Sequence, residues 1–169
     1  MSAFDKHFAD VTDIGKIREK NEDSLLISSD LGLGVVADGM GGHSAGEIAS
    51  NIAVHVLEET IRKVNTGELK MPETFLPKLD NTERKMLMAA NLANAAIYTT
   101  AQASEIYKMM GTTLTGVMFD GDNATAVHVG DSRIYLFRDG KLVQVTTDHS
   151  LAMEHVRRGL LTTAEADKS

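Results

Sequence analysis

The clearest pattern along the chain is an apolar stripe at helical spacing that follows a glycine-rich turn. Ser44 and Glu47 have the spacing of a capping box, which predicts a helix start at this point. A second stripe predicts a helix over residues 83–104, and residues 65–81, which hold both prolines, predict a connecting loop. The apolar positions of the first helix share one face: Ala45, Ile48, Ala49, Ile52, Ala53, Val56, Leu57 and Ile61.

The other apolar runs are short and bounded by turn-forming residues, as is typical of strands. The first forty residues predict three strands, and the last of them, residues 33–37, is expected to be buried on both faces. Asp148 is the predicted cap of a short final helix over residues 150–158. Strands, two helices and strands again favour sheets with helices stacked on their outer faces. Four further strands are predicted, at residues 112–119, 124–129, 133–138 and 141–145.

Composition narrows the range of partners and reactions. With 43% hydrophobic and 24% charged residues, the 169-residue chain is typical of a globular domain. It has neither an apolar run near the roughly 20 residues of a membrane span nor a signal-peptide pattern, so we expect a cytoplasmic protein without membrane contact. A net charge of −7 without a basic run argues against nucleic acid as a partner. The absence of cysteine excludes disulfides, thiolate metal sites and cysteine nucleophiles.

Three polar clusters lie at the ends of predicted strands, at residues 18–23, 38–39 and 130–133. Carboxylates that converge from such positions repel one another unless cations lie between them, and Mg²⁺ and Mn²⁺ prefer oxygen ligands. Two such ions about 3.5–4 Å apart can bind a phosphate and activate a water molecule. An arginine beside them can hold two phosphate oxygens. The residues that supply these parts are Arg18, Glu22, Asp23 and Asp38.

Four short motifs occur in order along the chain. They are Arg18-x-x-Asn21-Glu22-Asp23, Val36-Ala37-Asp38-Gly39-Met40-Gly41-Gly42-His43, Gly111-Thr112-Thr113 and Gly130-Asp131-Ser132-Arg133. In these motifs the chain resembles the bacterial branch of the metal-dependent type 2C protein phosphatases, from about residue 10 to its last residue. The resemblance implies an α+β fold, an α-β-β-α sandwich. It also implies hydrolysis of phosphoserine and phosphothreonine in proteins by a metal-activated water, with two or three Mn²⁺ or Mg²⁺ ions.

The resemblance further implies a set of metal ligands. Asp38 would bridge two metal ions, and the carbonyl of Gly39 would coordinate one of them. Glu22 and Asp23 would serve the ions directly or through bound water. Asp131 matches a position that helps to hold a third metal ion in bacterial members, although a Gly-Asp-Ser sequence is also good turn chemistry, in which the aspartate bonds its own hairpin.

Catalytic roles beside that of Asp38 are implied for two residues. Arg18 would position the substrate phosphate. Animal members carry a histidine, proposed as a general acid, directly after the Asp-Gly pair, where this chain has Met40. His43 lies three residues further on, as in bacterial relatives, and is either that acid or a local residue of the helix start.

The family pattern continues with two further aspartates, in a Ser-Asp-Gly and an Asp-Asn motif, and neither motif follows Asp148. We therefore expect residues 1–169 to form a single partial catalytic domain, incomplete at its C-terminus and with weak or no activity. Its expected partners are proteins phosphorylated on serine or threonine by a Ser/Thr kinase, and uncovered strands predict self-association. The alternative is a non-catalytic phosphoprotein-binding or regulatory module with the same fold.

Overall fold

The computed structural model describes residues 5–41, 45–72, 78–162 and 165. Helices and antiparallel strands both occur, which confirms the predicted α+β class. The strands are β1 (Asp23–Ser28), β2 (Leu33–Met40), β3 (Gly111–Thr112), β4 (Leu114–Asp120), β5 (Asn123–Val129), β6 (Tyr135–Arg138) and β7 (Lys141–Gln144). The helices are α1 (Ala45–Thr66), α2 (Asn81–Gln102), α3 (Leu151–Arg157) and a short 3₁₀ helix (Glu105–Tyr107).

The larger sheet has the order β1-β2-β4-β5, and the short strand β3 pairs with the end of β2. All its pairings are antiparallel. The β1–β2 register places Asp23 opposite Asp38, and the β2–β3 register places Gly39 opposite Thr112. Strands β6 and β7 form a separate two-stranded sheet. This topology brings the ends of β1, β2 and β3 to one place.

One face of the larger sheet is covered by helices α1 and α2. Leu33 and Val35 of β2 are buried there against Leu57 and Met86, which lie on the two helices. Burial alternates along β2, and Val36 on the opposite face remains 46% exposed. The prediction that residues 33–37 are buried on both faces is therefore wrong, because in the described part of the chain only the helical layer covers this strand closely.

Several predicted boundaries shift once cap geometry is visible. Helix α2 begins earlier than predicted because Asp80 and Glu83 form a capping box, with two reciprocal hydrogen bonds of 2.8 Å. The cap of α3 is Ser150, whose hydroxyl accepts the Met153 N–H at 3.1 Å, so the prediction of Asp148 as this cap is wrong. The predicted cap Ser44 of helix α1 lies outside the described residues.

The segment that precedes β1 was predicted to contain a strand and does not. Residues 5–40 hold two strands instead of the three expected. The preceding segment runs across the sheet without joining its ladder, and Phe8 packs edge-to-face on Phe119 with the ring centroids 6.1 Å apart. The Phe8 side chain before β1 therefore packs on the sheet and does not belong to a paired strand.

Strands β6 and β7 carry exposed apolar side chains. Tyr135 and Phe137 are 46% and 70% exposed, and Leu142 and Val143 are 64% and 56% exposed.

No helix among the described residues combines the length and apolarity needed to cross a lipid bilayer.

Candidate metal centre

The centre of the candidate site is a pair of carboxylates on neighbouring strands. Asp23 at the start of β1 lies opposite Asp38 near the end of β2. Residues opposite each other in an antiparallel pair project their side chains from the same face of the sheet. Asp23, Asp38 and Ser132 all line one cavity of about 240 Å³. The side chains of two predicted metal ligands, Asp23 and Asp38, are thus brought together.

The electrostatics of Asp38 show that the charge of a third acidic residue also reaches this pair. Partial burial raises the pKa of the Asp38 carboxyl, and the negative charges of Asp23 and Asp131 raise it further. A hydrogen bond with the Asp23 carboxyl acts in the same direction, and the positive charge of Arg18 opposes it. A carboxyl whose pKa is raised by like charges is one that a bound cation would stabilise in its ionised form.

The backbone of Asp38 is held by Thr112 and Thr113, at the junction of β3 and β4. Its N–H donates to the Thr113 hydroxyl at 2.9 Å, and its carbonyl accepts the Thr113 N–H at 2.9 Å. The Thr112 hydroxyl donates to the same carbonyl at 3.0 Å. These bonds fix the point at which the Asp38 side chain leaves the sheet.

Gly39 lets helix α1 approach the end of β2. Its N–H donates to the Glu22 carbonyl at 3.1 Å. A Cβ atom on Gly39 would collide with the Gly46 carbonyl oxygen and lie 2.6 Å from the Glu22 carbonyl oxygen. Only glycine fits between these two backbones. The role of the Gly39 carbonyl as a metal ligand stays a prediction.

Glu22 directly precedes Asp23 in the chain and forms an ion pair with Arg18. The Glu22 side chain is 17% exposed and lies close to Gly46, where an added Cβ would be 2.6 Å from Glu22 Oε1. The Arg18 guanidinium is 3.8 Å from the Glu22 carboxylate, and its side chain is 72% exposed. Arg18 is therefore close to the acidic groups and accessible to a molecule that approaches from solvent.

Asp131 lies in a tight turn that is braced from both sides. Gly130 adopts a φ of 107°, and a Cβ there would lie 2.6 Å from the Thr113 side chain. On the other side, the His149 N–H donates to the Gly130 carbonyl at 2.7 Å. The exposed side chain of Asp131 thus extends from a backbone that has little freedom to move.

Arg133 follows this turn and forms an ion pair with Asp148. Its Nε and a terminal nitrogen donate to the two carboxylate oxygens of Asp148, at 2.9 and 2.6 Å. The guanidinium holds the pKa of the Asp148 carboxyl below its usual range. This pair explains why Asp148 does not cap helix α3, and it gives Arg133 a structural role.

The described ligand set is partial. Among residues 5–41, 45–72, 78–162 and 165, no three acidic or histidine side chains are grouped closely enough to hold a metal ion by themselves. The donor chemistry still fits a hard divalent cation, since the converging groups are carboxylates with excess negative charge. His43, predicted to be either the general acid or a residue of the helix start, lies outside the described residues.

Two hydroxyl residues of the site were missed as functional candidates. Thr113 and Ser132 occur within the quoted motifs, but no role was predicted for either. The Thr113 hydroxyl bonds the Asp38 backbone and lies 2.8 Å from the Ser132 hydroxyl. A signal was present in the sequence, because Thr113 lies two residues after Gly111 and Ser132 lies within the polar cluster at residues 130–133. The partners of the two hydroxyl groups could not be read from it.

Comparison with known proteins identifies the class to which this fold and site correspond. The model of the family described as Protein phosphatase 2C matches residues 18–168. The chain therefore belongs to the protein phosphatase 2C family, as the four motifs predicted.

Among curated relatives, the serine/threonine protein phosphatase PstP of Mycobacterium tuberculosis is 38% identical over 159 residues, which cover 94% of this chain and 28% of that protein. The solved structure of the S. agalactiae serine/threonine phosphatase matches with a TM-score of 0.75 and 40% identity, over 94% of this chain and 62% of that one. The catalytic domain of PstP in complex with two manganese ions matches with a TM-score of 0.69 and 36% identity, over 90% and 60%.

These likenesses confirm the predicted fold, of which the chain covers a part. The chain spans 28% of the PstP sequence and about 60% of the two solved chains.

Proposed function

We propose that this chain carries part of the catalytic site for hydrolysis of phosphoserine and phosphothreonine in proteins, with Mn²⁺ or Mg²⁺ as cofactor. The observation that supports this most directly is the placement of Asp23 opposite Asp38, where partial burial and then the like charges of Asp23 and Asp131 raise the pKa of Asp38. Such a cluster is stabilised by divalent cations and disfavours an anionic ligand without them. Membership of the protein phosphatase 2C family supports the choice of reaction.

Each site residue has a proposed part in this function. When bound, the cation supplies positive charge that attracts the phosphate and activates a water molecule. Asp38 and Asp23 would hold it through carboxylate oxygens, with the Gly39 carbonyl, Glu22 and Asp131 as further ligands, direct or through water.

Two residues have proposed roles outside the metal ligands. The exposed Arg18 would bind two phosphate oxygens with its planar guanidinium and orient the phosphorus toward the acidic groups. His43 is retained as the proposed proton donor to the leaving serine or threonine oxygen.

We expect the 169-residue chain itself to have low activity. The ligands described here do not enclose a metal ion, so the affinity for Mn²⁺ should be weaker than that of a complete ligand set. Substrates would be proteins phosphorylated by a Ser/Thr kinase. The cytoplasmic location expected from the sequence stays a prediction.

Mn²⁺ titration by calorimetry tests the metal site. We expect the wild-type chain to bind Mn²⁺ and Asp38→Asn to lose that binding, while Asp122→Asn, which removes an acidic side chain in the β4–β5 turn, should bind as the wild type does. Hydrolysis of a phosphopeptide should require the metal and should disappear in Asp38→Asn. If the phosphopeptide binds equally well with Mn²⁺ and with EDTA and is not hydrolysed, the result would instead support the non-catalytic binding module. The observation that favours this alternative is the partial ligand set.

Self-association is proposed for the exposed apolar strands. Phe137 and Leu142, at 70% and 64% exposure, place large apolar side chains in water on the β6–β7 sheet. Light scattering should show dimers or larger species at high concentration, and Phe137→Ser should reduce them. A single monomeric species at every concentration would contradict this proposal.

A further inference from the structure

Two hydroxyl groups connect the segment that holds the backbone of Asp38 to the turn that contains Asp131. Thr113 Oγ1 and Ser132 Oγ are 2.8 Å apart, although Thr113 lies between β3 and β4 and Ser132 lies between β5 and β6. We propose that the Thr113–Ser132 pair is a positioning device, which sets Asp38 and Asp131 at the separation that a shared metal cluster requires. This inference rests on the proposed function, because it assigns the pair to the same metal centre.

The Thr113 end of the pair is attached directly to Asp38. The Thr113 hydroxyl accepts the Asp38 N–H, and the Thr113 N–H donates to the Asp38 carbonyl, both at 2.9 Å. One residue therefore holds both backbone polar groups of the central ligand. Since one lone pair of the hydroxyl is occupied by Asp38, its remaining bonding capacity is available for Ser132.

The Ser132 end is attached to Asp131 through the chain. Ser132 directly follows Asp131 and lines the same cavity as Asp23 and Asp38. Gly130, on the other side of Asp131, lies so close to Thr113 that an added Cβ would be 2.6 Å from its methyl carbon. The residues on both sides of Asp131 thus contact Thr113, one by a hydrogen bond and the other by packing.

The charges in this site explain why such a connection is needed. The carboxylates of Asp38 and Asp131 carry charges of the same sign and repel each other. Without a metal, this repulsion would favour separation of the Asp131 turn from the end of β2, and the hydroxyl pair opposes that separation. Hydrogen bonds behind metal ligands commonly fix ligand orientation, and their loss typically weakens metal affinity about 10–100-fold.

The test compares Mn²⁺ affinities of the full 169-residue chain by calorimetry. Thr113→Val removes the hydroxyl but keeps the shape, and we expect about 10-fold weaker binding. Ser132→Ala, in the half-buried turn, should weaken binding to a similar extent. Because the two hydroxyls act as one unit, the double variant should bind no more weakly than Thr113→Val alone. Thr113→Ser should restore affinity close to that of the wild type.

Thr82→Val serves as the matched control. Thr82 is 5% exposed and its hydroxyl donates to Asp120 at 2.9 Å, so the substitution removes a comparable hydrogen bond on helix α2. We expect lower thermal stability in this variant with unchanged Mn²⁺ affinity. Amide exchange at Asp38, followed by NMR without metal, should accelerate in Thr113→Val and not in Thr82→Val.

The outcomes separate the inference from the proposed function. If Asp38→Asn abolishes Mn²⁺ binding while Thr113→Val and Ser132→Ala bind as the wild type does, the positioning role is overturned and the metal site stands. If Asp38→Asn itself leaves Mn²⁺ binding unchanged, the metal site fails and the positioning role fails with it. Fully additive losses in the double variant would also overturn the coupling of the two hydroxyls.

Discussion

Substitution of Gly39 by alanine provides the most direct test of how the site is assembled. The added Cβ would collide with the Gly46 carbonyl oxygen and lie 2.6 Å from the Glu22 carbonyl oxygen. Both neighbours are backbone atoms, so neither can rotate away as a flexible side chain could. Ordinary contact begins at 3.4 Å, and the strand and the start of α1 would therefore have to separate by about 1 Å.

The expected cost of Gly39→Ala is about 3 kcal/mol, the upper part of the range for overpacking in a closely packed site. Gly34→Ala is a matched control on the same strand, because the nearest atom to its added Cβ is Phe8 Cδ1 at 4.0 Å. Alanine there should be neutral or stabilise by about 0.5–1 kcal/mol, since glycine in a strand loses more backbone entropy on folding.

Urea unfolding followed by far-UV circular dichroism suits this comparison, because the chain has no tryptophan. With a slope of about 2 kcal/mol per molar urea, a cost of about 3 kcal/mol lowers the midpoint by about 1.5 M. We also expect Gly39→Ala to lose Mn²⁺ binding and Gly34→Ala to keep it. Equal midpoints for the two variants would show that β2 and α1 do not meet at Gly39 as described.

Three further predictions concern charge and packing. Asp38→Asn should raise the melting temperature of the metal-free chain at pH 7. A carboxyl whose folded pKa is raised lowers the stability when it is ionised, and this loss disappears as the pH falls through that pKa. An unchanged melting temperature would argue against the acidic cluster. Arg133→Gln should lower the stability at pH 7, and the loss should shrink in acid. The lowered pKa of Asp148 gives stability that is present above its unfolded pKa and is lost as the pH falls through its folded pKa. A loss of stability that does not depend on pH would contradict the ion pair. Leu57 is fully buried, and Leu57→Ala should lower the free energy of unfolding by about 2–5 kcal/mol in chemical denaturation. Leu92 is 39% exposed, and Leu92→Ala should lower it by less than about 1 kcal/mol. Similar losses in the two variants would contradict the described core.

The part of the site that the sequence could predict is the part with local signatures. The turn at residues 30–32 between two apolar runs predicts an antiparallel pair, so acidic residues before the first run and after the second must meet at one end. The structure places Asp23 opposite Asp38 in this way. The apolar stripe of helix α1 likewise carries its own periodicity, and the structure buries Leu57 and Ile61 from it.

The parts that could not be predicted depend on partners far apart in the chain. The Thr113 hydroxyl bonds the backbone of Asp38, 75 residues away, and Arg133 draws Asp148 away from the helix that it was predicted to cap. Nothing within a local window distinguishes these pairings from ordinary turn chemistry. The exposure of Val36 was missed for a related reason, since a run of apolar residues does not show how many layers cover it.

The pairing of β1 with β2 places Asp23 opposite Asp38, so metal binding by these two residues depends on the register of the two strands. A shift of β1 by a single residue along β2 would turn Asp23 to the opposite side of the sheet, where no ion could draw on both acids. A divalent ion that stabilises the aligned state thereby penalises the misaligned one during folding. In this protein the same ion that would serve catalysis would also select the correct hairpin.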